Sequence, residues 1–171
     1  MASFEFSSGT LTLTEAGSQR KASLHVVEGG AGLRALYPGG EDVFAMTVDR
    51  FGQILRSANH TLKRALTDPR LLSGIGNAYS DETLFQARLS PLKLTQALTR
   101  DDVGRLFDAT RAELSRWVAI LRKESGSRFP EGVTAFRPTM AVHGRFQEPC
   151  PRCITRIQRI RYAANETDYC P

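Results

Sequence analysis

The sequence LLSGIGNAYSDETLFQARLSP, residues 71–91, decides how the chain is expected to fold. Gly74 and Gly76 stand directly before a segment with helical character, which predicts a tight turn that opens a helix. The backbone N–H groups at such a helix N-terminus carry roughly half a positive charge and suit a phosphate. A dinucleotide fingerprint is excluded, because no strand is predicted before the glycines and Tyr79 takes the place of the third glycine.

Two polar residues beside this turn are candidates for contacts with a phosphate. Asn77 can either cap the helix or donate its side-chain amide to a phosphate oxygen, and capping is the more common role. Lys63 lies on the preceding predicted helix, NHTLKRALTD (residues 59–68), and can project to the same side. The turn is therefore a candidate phosphate site, with helix capping as the alternative role of Asn77.

The clearest helix of the sequence is predicted to begin after Thr99. Thr99 and Asp102 have the spacing of a capping box, in which each side chain accepts a hydrogen bond from the other residue's backbone N–H. Apolar residues then recur at helical spacing and predict one buried stripe, on which Trp117 is a core residue and not a platform for stacking a base. The stripe comprises Val103, Leu106, Phe107, Thr110, Leu114, Trp117, Val118 and Leu121.

The first 56 residues have the pattern of β-structure. Apolar and polar residues alternate in FEFSSGTLTLTEA (residues 4–16) and again in ASLHVV (residues 22–27), which predicts strands. The glycine-rich stretch at residues 28–42 predicts a loop with at most one short helical turn. Because two strands are too little sheet to be stable alone, we interpret this region as the remnant of a larger β-structure.

Three cysteines near the C-terminus have the spacing of a metal site. Cys150, Cys153 and Cys170 form C-x2-C-x16-C, which is typical of a zinc ribbon whose fourth ligand follows as the partner of Cys170. Thiolates select zinc over harder ions; an iron–sulfur cluster or disulfides are the alternatives, and His143 is a weaker candidate for a fourth ligand. The region from residue 140 has little apolar content, so a bound metal is expected to hold it together.

The charge of the chain favours an anionic partner. The 171 residues carry a formal net charge of +5, and five arginines stand among or beside the cysteines. An arginine binds phosphate through two parallel hydrogen bonds, so such a cluster favours a nucleic-acid backbone over the alternative of a solvated protein surface. These residues are Arg145, Arg152, Arg156, Arg159 and Arg161.

Other classes of protein find little support in the sequence. It has no run of about 18 apolar residues for a membrane span, and its start lacks the pattern of a signal peptide, so we expect a cytoplasmic protein. No pair of carboxylates, His-Cys arrangement or nucleophile elbow is found, and His25, His60 and His143 are scattered along the chain. Residue types and spacing alone therefore predict a zinc-stabilised nucleic-acid-binding module without a catalytic residue.

Two segments together resemble the formamidopyrimidine-DNA glycosylase / endonuclease VIII family. LKRALTDPRLLSGIGNAYSDETLFQARLSPL (residues 62–92) resembles the family's helix-two-turn-helix segment, and AVHGRFQEPCPRCITRIQRIRYAANETDYC (residues 141–170) resembles its C-terminal zinc finger. The resemblance implies an α+β fold with three parts. These are the remnant of an N-terminal β-sandwich (residues 1–57), a helix-two-turn-helix domain (58–139) and an incomplete zinc-ribbon β-hairpin (140–171).

The family resemblance implies a function in base-excision repair. Members are DNA N-glycosylases with AP lyase activity on oxidised bases, and the implied partner is double-stranded DNA with a damaged base or an abasic site. By resemblance, Asn77 and Lys63 contact phosphates around the lesion, and Asn165 stands where the family has an Arg at the finger tip. The residues expected to bind DNA are Lys63, Gly76, Asn77, Tyr79, Arg145, Arg159, Arg161 and Asn165.

The sequence departs from the family at both ends. The family's nucleophile is an N-terminal Pro followed by a Glu, whereas this sequence begins Met1-Ala2-Ser3-Phe4, so we expect a fragment that does not excise bases by itself. The fourth zinc ligand would lie beyond Pro171, so we expect well below one zinc ion per chain unless a dimer or a foreign ligand completes the site. Neither a membrane nor an obligate protein partner is indicated. The alternatives are a non-catalytic DNA-binding module and an RNA-binding structural protein.

Overall fold

The computed structural model describes residues 2–15, 22–37, 39–129, 136–162 and 165–171. Its internal contacts divide the chain into two units, residues 1–37 and residues 38–171. Among the helices of the described ranges, none combines the length and the apolar character needed to cross a membrane.

The first unit contains a β-hairpin and a short helix. β1 (Ala2–Phe6) and β2 (Gly9–Leu13) pair antiparallel with Ala2 opposite Leu13, as the alternating pattern predicts. α1 (Gly29–Leu36) forms where the glycine-rich sequence predicts a loop with at most one helical turn. All eight residues of α1 remain at least partly exposed to solvent.

The strand predicted at residues 22–27 is not formed. A strand needs the backbone hydrogen bonds of a neighbouring strand, and within the described part of the chain β1 and β2 pair only with each other. The alternation in this segment is therefore not matched by a partner edge, and the strand prediction is wrong here.

The second unit begins with a helix that contradicts the prediction of β-structure over the first 56 residues. α2 (Val48–Arg56) is capped by Thr47, whose Oγ1 accepts the backbone N–H of Arg50 at 3.3 Å. Gly52 lets α2 pack closely on the helix that contains Val103, because a Cβ at this position would lie 3.1 Å from a methyl carbon of Val103. α2 thus belongs to the helical unit, whereas the family resemblance implies a first domain boundary at residue 57.

Three further helices agree with the sequence prediction. They are α3 (Leu62–Thr67), α4 (Asn77–Ala87) and α5 (Arg100–Ser125). The C-cap of α3 is Asp68, where the sequence predicts the end of this helix, and α4 ends at Ala87 because Arg88, its C-cap, takes the left-handed conformation with φ 56°.

The capping box predicted for α5 is confirmed. The backbone N–H of Asp102 donates to Oγ1 of Thr99 at 3.1 Å, and the backbone N–H of Thr99 donates to Oδ2 of Asp102 at 2.9 Å. Trp117 is buried as predicted, and its indole N–H donates to Oε1 of Glu113 at 2.7 Å. Val118 departs from the predicted stripe: it is 43% exposed.

The apolar core lies between α2, α3, α4 and α5. Its fully or nearly fully buried side chains come from all four helices and from the loops that join them. The largest of them are Phe51, Leu55, Leu62, Leu66, Leu72, Leu84 and Leu106.

A second hairpin completes the chain. β3 (Gln158–Tyr162) pairs antiparallel with β4 (Asn165–Tyr169), so the predicted β-hairpin of the C-terminal region is confirmed. β4 packs on α4 within the second unit. Ile157 and Val142 are buried with Cys150 in a small apolar cluster at the base of the hairpin.

Candidate nucleic-acid interface and metal centre

Glycines shape the turn that precedes α4. Gly74 has a φ of +78°, which glycine adopts without strain, and Gly76 is the N-cap residue. Asn77 is the first residue of α4, and its side-chain amide donates at 2.9 Å to the backbone carbonyl of Glu166 in β4. The alternative role of Asn77 as a helix cap is therefore wrong, and its side chain joins the turn to the hairpin.

Lys63 of α3 reaches the first turn of α4. Its Nζ lies 2.7 Å from the carbonyl oxygen of Asn77 and 2.8 Å from Oγ of Ser80, and it also donates to Oδ1 of Asp81. Burial lowers the pKa of Lys63, and the Asp81 carboxylate opposes this effect. The prediction that Lys63 projects toward Asn77 holds, but three protein acceptors surround its ammonium.

Asp81 joins α4 to the hairpin region from the buried side of the helix. Its carboxylate is 0% exposed. Besides Lys63, the carboxylate contacts Nδ1 of His143 at 2.8 Å and accepts the backbone N–H of Asp168 at 3.2 Å. His143 is thus buried and bound to Asp81, and its ring nitrogens are not among the donor atoms that cluster with the three cysteines.

Asp168 continues the buried charge network on the hairpin side. Nε and Nη2 of Arg159 donate to the two oxygens of Asp168 at 2.7 and 2.9 Å, and the backbone N–H of Gly144 donates to Oδ2 at 2.8 Å. Arg159 also contacts Oε2 of Glu166 at 2.8 Å. The guanidinium of Arg159, predicted to contact DNA, is therefore bound by two carboxylates of its own hairpin.

Glu82 holds the segment that leads into the hairpin. Its fully buried carboxylate accepts the backbone N–H groups of Ala141, Val142 and His143 at 2.7, 2.8 and 3.0 Å. Together with Asp81, Glu82 turns one face of α4 into an attachment site for the C-terminal region.

The four other predicted DNA-binding residues lie in different surroundings. Arg161 is 71% exposed and pairs with Glu166 at 2.9 Å, and Asn165 is exposed beside it at the start of β4. Arg145 pairs with Glu148 at 2.8 Å. Tyr79 packs on Trp117 with ring centroids 5.9 Å apart.

Sequence reasoning missed the buried polar residues that connect α4 with the hairpin. They are Asp81, Glu82 and Asp168, none of which was a candidate site residue. One signal was present: Ser80, Asp81 and Glu82 follow each other in a helix with apolar residues on both sides, so a polar partner is needed to bury them. The sequence does not predict which groups these partners are, because they lie about 60 to 90 residues further along the chain.

The three cysteines form a cluster that can hold a metal. The Sγ atoms of Cys150, Cys153 and Cys170 all lie within 4.8 Å of one another. Cys153 Sγ and Cys170 Sγ are 3.3 Å apart, well beyond the ~2.05 Å of a disulfide bond, so the cysteines are free thiols. The backbone N–H of Arg152 donates to Cys150 Sγ at 3.4 Å. The donor set suits a soft metal ion.

The thiols of this cluster differ in acidity without a metal. Hydrogen bonds from Thr155, and then from Cys170, lower the pKa of Cys153 to about 7. Burial raises the pKa of Cys170 to about 12. A bound cation would favour ionisation of all three thiols.

Arg152 ties the cysteine loop to the end of α4. Its guanidinium donates to the backbone carbonyl of Phe85 and to Oε1 of Gln86, each at 2.9 Å, and lies 4.1 Å from the centroid of the Phe85 ring. The loop between Cys150 and Cys153 is therefore fixed against the last turn of α4, as β4 is fixed against the first.

Comparison with known families identifies the helical region. Residues 40–130 match the formamidopyrimidine-DNA glycosylase H2TH domain. A formamidopyrimidine-DNA glycosylase of Thermus thermophilus is 37% identical over 121 residues, which cover 68% of this chain and 45% of the relative. The chain thus matches less than half the length of that curated relative.

Comparison with solved structures agrees. The crystal structure of the MutM (Fpg) protein from Thermus thermophilus matches with a TM-score of 0.68 and 33% identity, over 81% of this chain and 55% of that one. Lactococcus lactis Fpg, solved in complex with DNA containing an abasic site, matches with a TM-score of 0.67 and 26% identity, over 81% and 52%.

Proposed function

Since the chain belongs to the formamidopyrimidine-DNA glycosylase family, we propose that it is the damaged-DNA-binding portion of a base-excision-repair DNA N-glycosylase / AP lyase that acts on oxidised bases. Its proposed partner is double-stranded DNA that contains a damaged base or an abasic site. This function places the protein in the compartment that holds the DNA, which in a bacterial cell is the cytoplasm.

One observation carries the proposal: the hydrogen bond from Asn77 to the Glu166 carbonyl fixes the helix turn beside the hairpin. The turn offers a helix N-terminus, and the neighbouring strand pair offers Arg161 and Asn165. A helix N-terminus and exposed guanidinium groups both favour phosphate oxygens. This arrangement supports binding of a phosphate backbone across α4 and the hairpin.

We assign the phosphate contacts to the groups that remain accessible in this arrangement. An amide nitrogen carries two hydrogens, and Asn77 donates one to Glu166, so the second is assigned to a phosphate oxygen. The backbone at Gly76 and the side chains of Arg161 and Asn165 complete the proposed contact surface, and Arg145, which pairs with Glu148, is a further candidate for a phosphate contact. Tyr79 supports the turn through its packing on Trp117.

Zinc is the metal proposed for the cysteine cluster. Cys150, Cys153 and Cys170 would hold it as thiolates, and its role would be structural, since it would join the loop before β3 to the end of β4. The small apolar cluster of this region makes such a link important for the stability of the hairpin.

The binding function is tested by fluorescence anisotropy with three labelled probes: a duplex with an abasic-site analogue, the same duplex intact, and a structured RNA hairpin. We expect the abasic duplex to bind most tightly and its log affinity to fall linearly with log salt, by about 0.9 per phosphate neutralised. Preference for the RNA hairpin would support an RNA-binding protein, and equal affinity for both duplexes would support a DNA-binding module without lesion recognition.

Base excision and strand cleavage are proposed for the whole protein, because the chain matches less than half of its curated relative. We expect no such chemistry from this chain alone. Lys63, the amine beside the turn, has a side chain that is only 13% exposed and bound to three acceptors. Borohydride trapping on an abasic duplex should give no covalent adduct; an adduct with this chain would contradict the expectation.

A further inference from the structure

The environment of Lys63 differs from that of the arginines on the proposed DNA-binding surface. We infer that Lys63 is a positioning residue, which holds the first turn of α4 against the hairpin and does not itself neutralise a DNA phosphate. The DNA-binding part of this inference rests on the proposed function, whereas the positioning part concerns the free protein.

The first argument is the number of hydrogens on the ammonium group. A lysine ammonium has three N–H donors and no acceptor. In Lys63 these face the carbonyl oxygen of Asn77, Oγ of Ser80 and Oδ1 of Asp81. A phosphate oxygen could gain a hydrogen bond only by displacing one of these three acceptors.

The second argument is the burial of the partner carboxylate. The Asp81 side chain is 0% exposed, and Lys63 is its cationic partner at the turn. Movement of Lys63 toward a phosphate would leave this carboxylate with less compensation in a buried site, which is strongly unfavourable. The ammonium is therefore held in place by the charge behind it.

The third argument is that the contacts of Lys63 close a ring. Lys63 binds the Asn77 carbonyl, and the Asn77 side chain donates to the Glu166 carbonyl. Two residues after Glu166 in β4, the backbone N–H of Asp168 donates to the Asp81 carboxylate, which also accepts a hydrogen bond from Lys63. Each member of this ring sets the position of the next, so Lys63 helps to fix the distance between the helix turn and the hairpin.

Arg161 provides the matched comparison. It is 71% exposed, and its partner Glu166 is itself 41% exposed, so this ion pair can exchange for a phosphate at little cost. On the proposed surface, Arg161→Gln should lower the number of neutralised phosphates by one. The slope of log affinity against log salt should therefore become less steep by about 0.9.

The experiment compares two Lys63-network variants with Arg161→Gln. The double variant Lys63→Met/Asp81→Asn removes both charges and keeps similar side-chain lengths, so no buried carboxylate is left unpaired. We expect it to bind the abasic duplex about tenfold more weakly at every salt concentration, with an unchanged slope, because lost hydrogen bonds and not lost charge weaken the surface. A slope flattened by about 0.9 would overturn the inference.

Asp81→Asn alone is the second variant. It distinguishes a positioning role of Lys63 from a phosphate contact, because the two roles predict opposite changes in DNA affinity. If Lys63 positions the turn, this change weakens DNA binding, since the ring is opened. If Lys63 contacts phosphate, the change frees its ammonium from Asp81 and adds net positive charge to the chain. DNA binding then becomes tighter, and log affinity falls more steeply with log salt. Tighter binding would therefore contradict a positioning role.

A measurement without DNA decides the positioning role independently of the proposed function. In the wild-type chain one hydrogen of the Asn77 side-chain amide is donated to Glu166, and its exchange with solvent can be followed by NMR. We expect exchange at least about tenfold faster in Asp81→Asn and in the double variant. Wild-type exchange in both variants would overturn the inference, whereas a wild-type chain without DNA affinity would overturn the proposed function only.

Discussion

At the scale of single residues, Glu82 shows how a buried charge can attach one segment to another. Its carboxylate accepts three successive backbone N–H groups, from Ala141 to His143. A carboxylate that accepts several backbone N–H bonds is well stabilised without a cation. Glu82 therefore anchors the segment before the hairpin through its negative charge and its two oxygens.

We predict that Glu82→Gln destabilises the chain. The amide nitrogen of Gln would be a donor facing backbone donors, so at least one buried N–H would lose its acceptor, at a cost of about 2 kcal/mol in the free energy of unfolding. Urea denaturation measures this change. Glu148→Gln is the control: Glu148 is 54% exposed and pairs with Arg145, so its loss should change stability by less than about 0.5 kcal/mol. Equal effects would contradict the anchoring role.

At this scale, the sequence predicts which residues lie at the helix turn, but it does not predict their partners. Gly76, Asn77 and Lys63 could be chosen because a helix start and its neighbouring basic residue are local features. Whether Lys63 is exposed to a phosphate or enclosed by protein depends on β4, and the contact from Asn77 to Glu166 spans 89 residues. No local pattern carries that information.

At the scale of elements, α5 is a helix whose start can be predicted from the sequence. The capping box of Thr99 and Asp102 satisfies backbone donors that the helix itself cannot satisfy. Asp102 has further partners: Nζ of Lys93 and Nη2 of Arg105 each lie 2.6 Å from one of its oxygens. α2 gave no comparable signal, because its nine residues follow a glycine-rich segment and its burial depends on close packing through Gly52.

We predict that Asp102 makes the stability of the chain depend on pH in the acid range. The hydrogen bond from Lys93, followed by the one from the Thr99 backbone, lowers the pKa of Asp102 from its ordinary 3.8 to about 2. Because the folded-state pKa is the lower one, this contribution is complete above about pH 4 and is lost as the pH falls toward about 2. Asp102→Asn should therefore show a weaker fall of melting temperature over that range than the wild type.

The control for this prediction is Asp101→Asn. Asp101 also lies in the first turn of α5 but is exposed, so its removal changes the interaction with the helix dipole without removing the capping box. Its profile of melting temperature against pH should keep the wild-type steepness between about pH 4 and about pH 2. Identical flattening in both variants would show that the helix dipole, and not the capping box, accounts for the acid sensitivity.

At the scale of the whole molecule, the helices from α2 onward and the second hairpin form one unit, although the sequence predicts two domains there. The prediction relied on the low apolar content of the region after residue 140, and that observation is correct. The region is attached by other means: Asp81 and Glu82 bind it to the first turns of α4, and Arg152 binds it to the last turn. Hydrogen bonds between residues that lie far apart in the sequence leave no periodic pattern, so these contacts could not be predicted.

This arrangement leads to a prediction about metal binding that reaches beyond the cysteines. Arg152 stands between Cys150 and Cys153, so a metal that fixes the loop should also fix the Arg152 side chain on the Phe85 carbonyl. Adding zinc to the metal-free chain should slow amide hydrogen exchange in residues 150–170 and also in residues 84–89 at the end of α4. The middle of α2 should not respond, since the contacts of Arg152 lead to α4 and not to α2.

Arg152→Met separates the effect of zinc on residues 150–170 from its effect on residues 84–89. This variant keeps all three thiols and an apolar stem over the Phe85 ring but loses both hydrogen bonds to α4. Zinc should still protect residues 150–170 in the variant, while the added protection of residues 84–89 should disappear. If residues 84–89 gain the same protection without Arg152, the metal acts on α4 through β4 instead. If zinc protects neither segment in the wild-type chain, the cysteine cluster does not bind zinc as proposed.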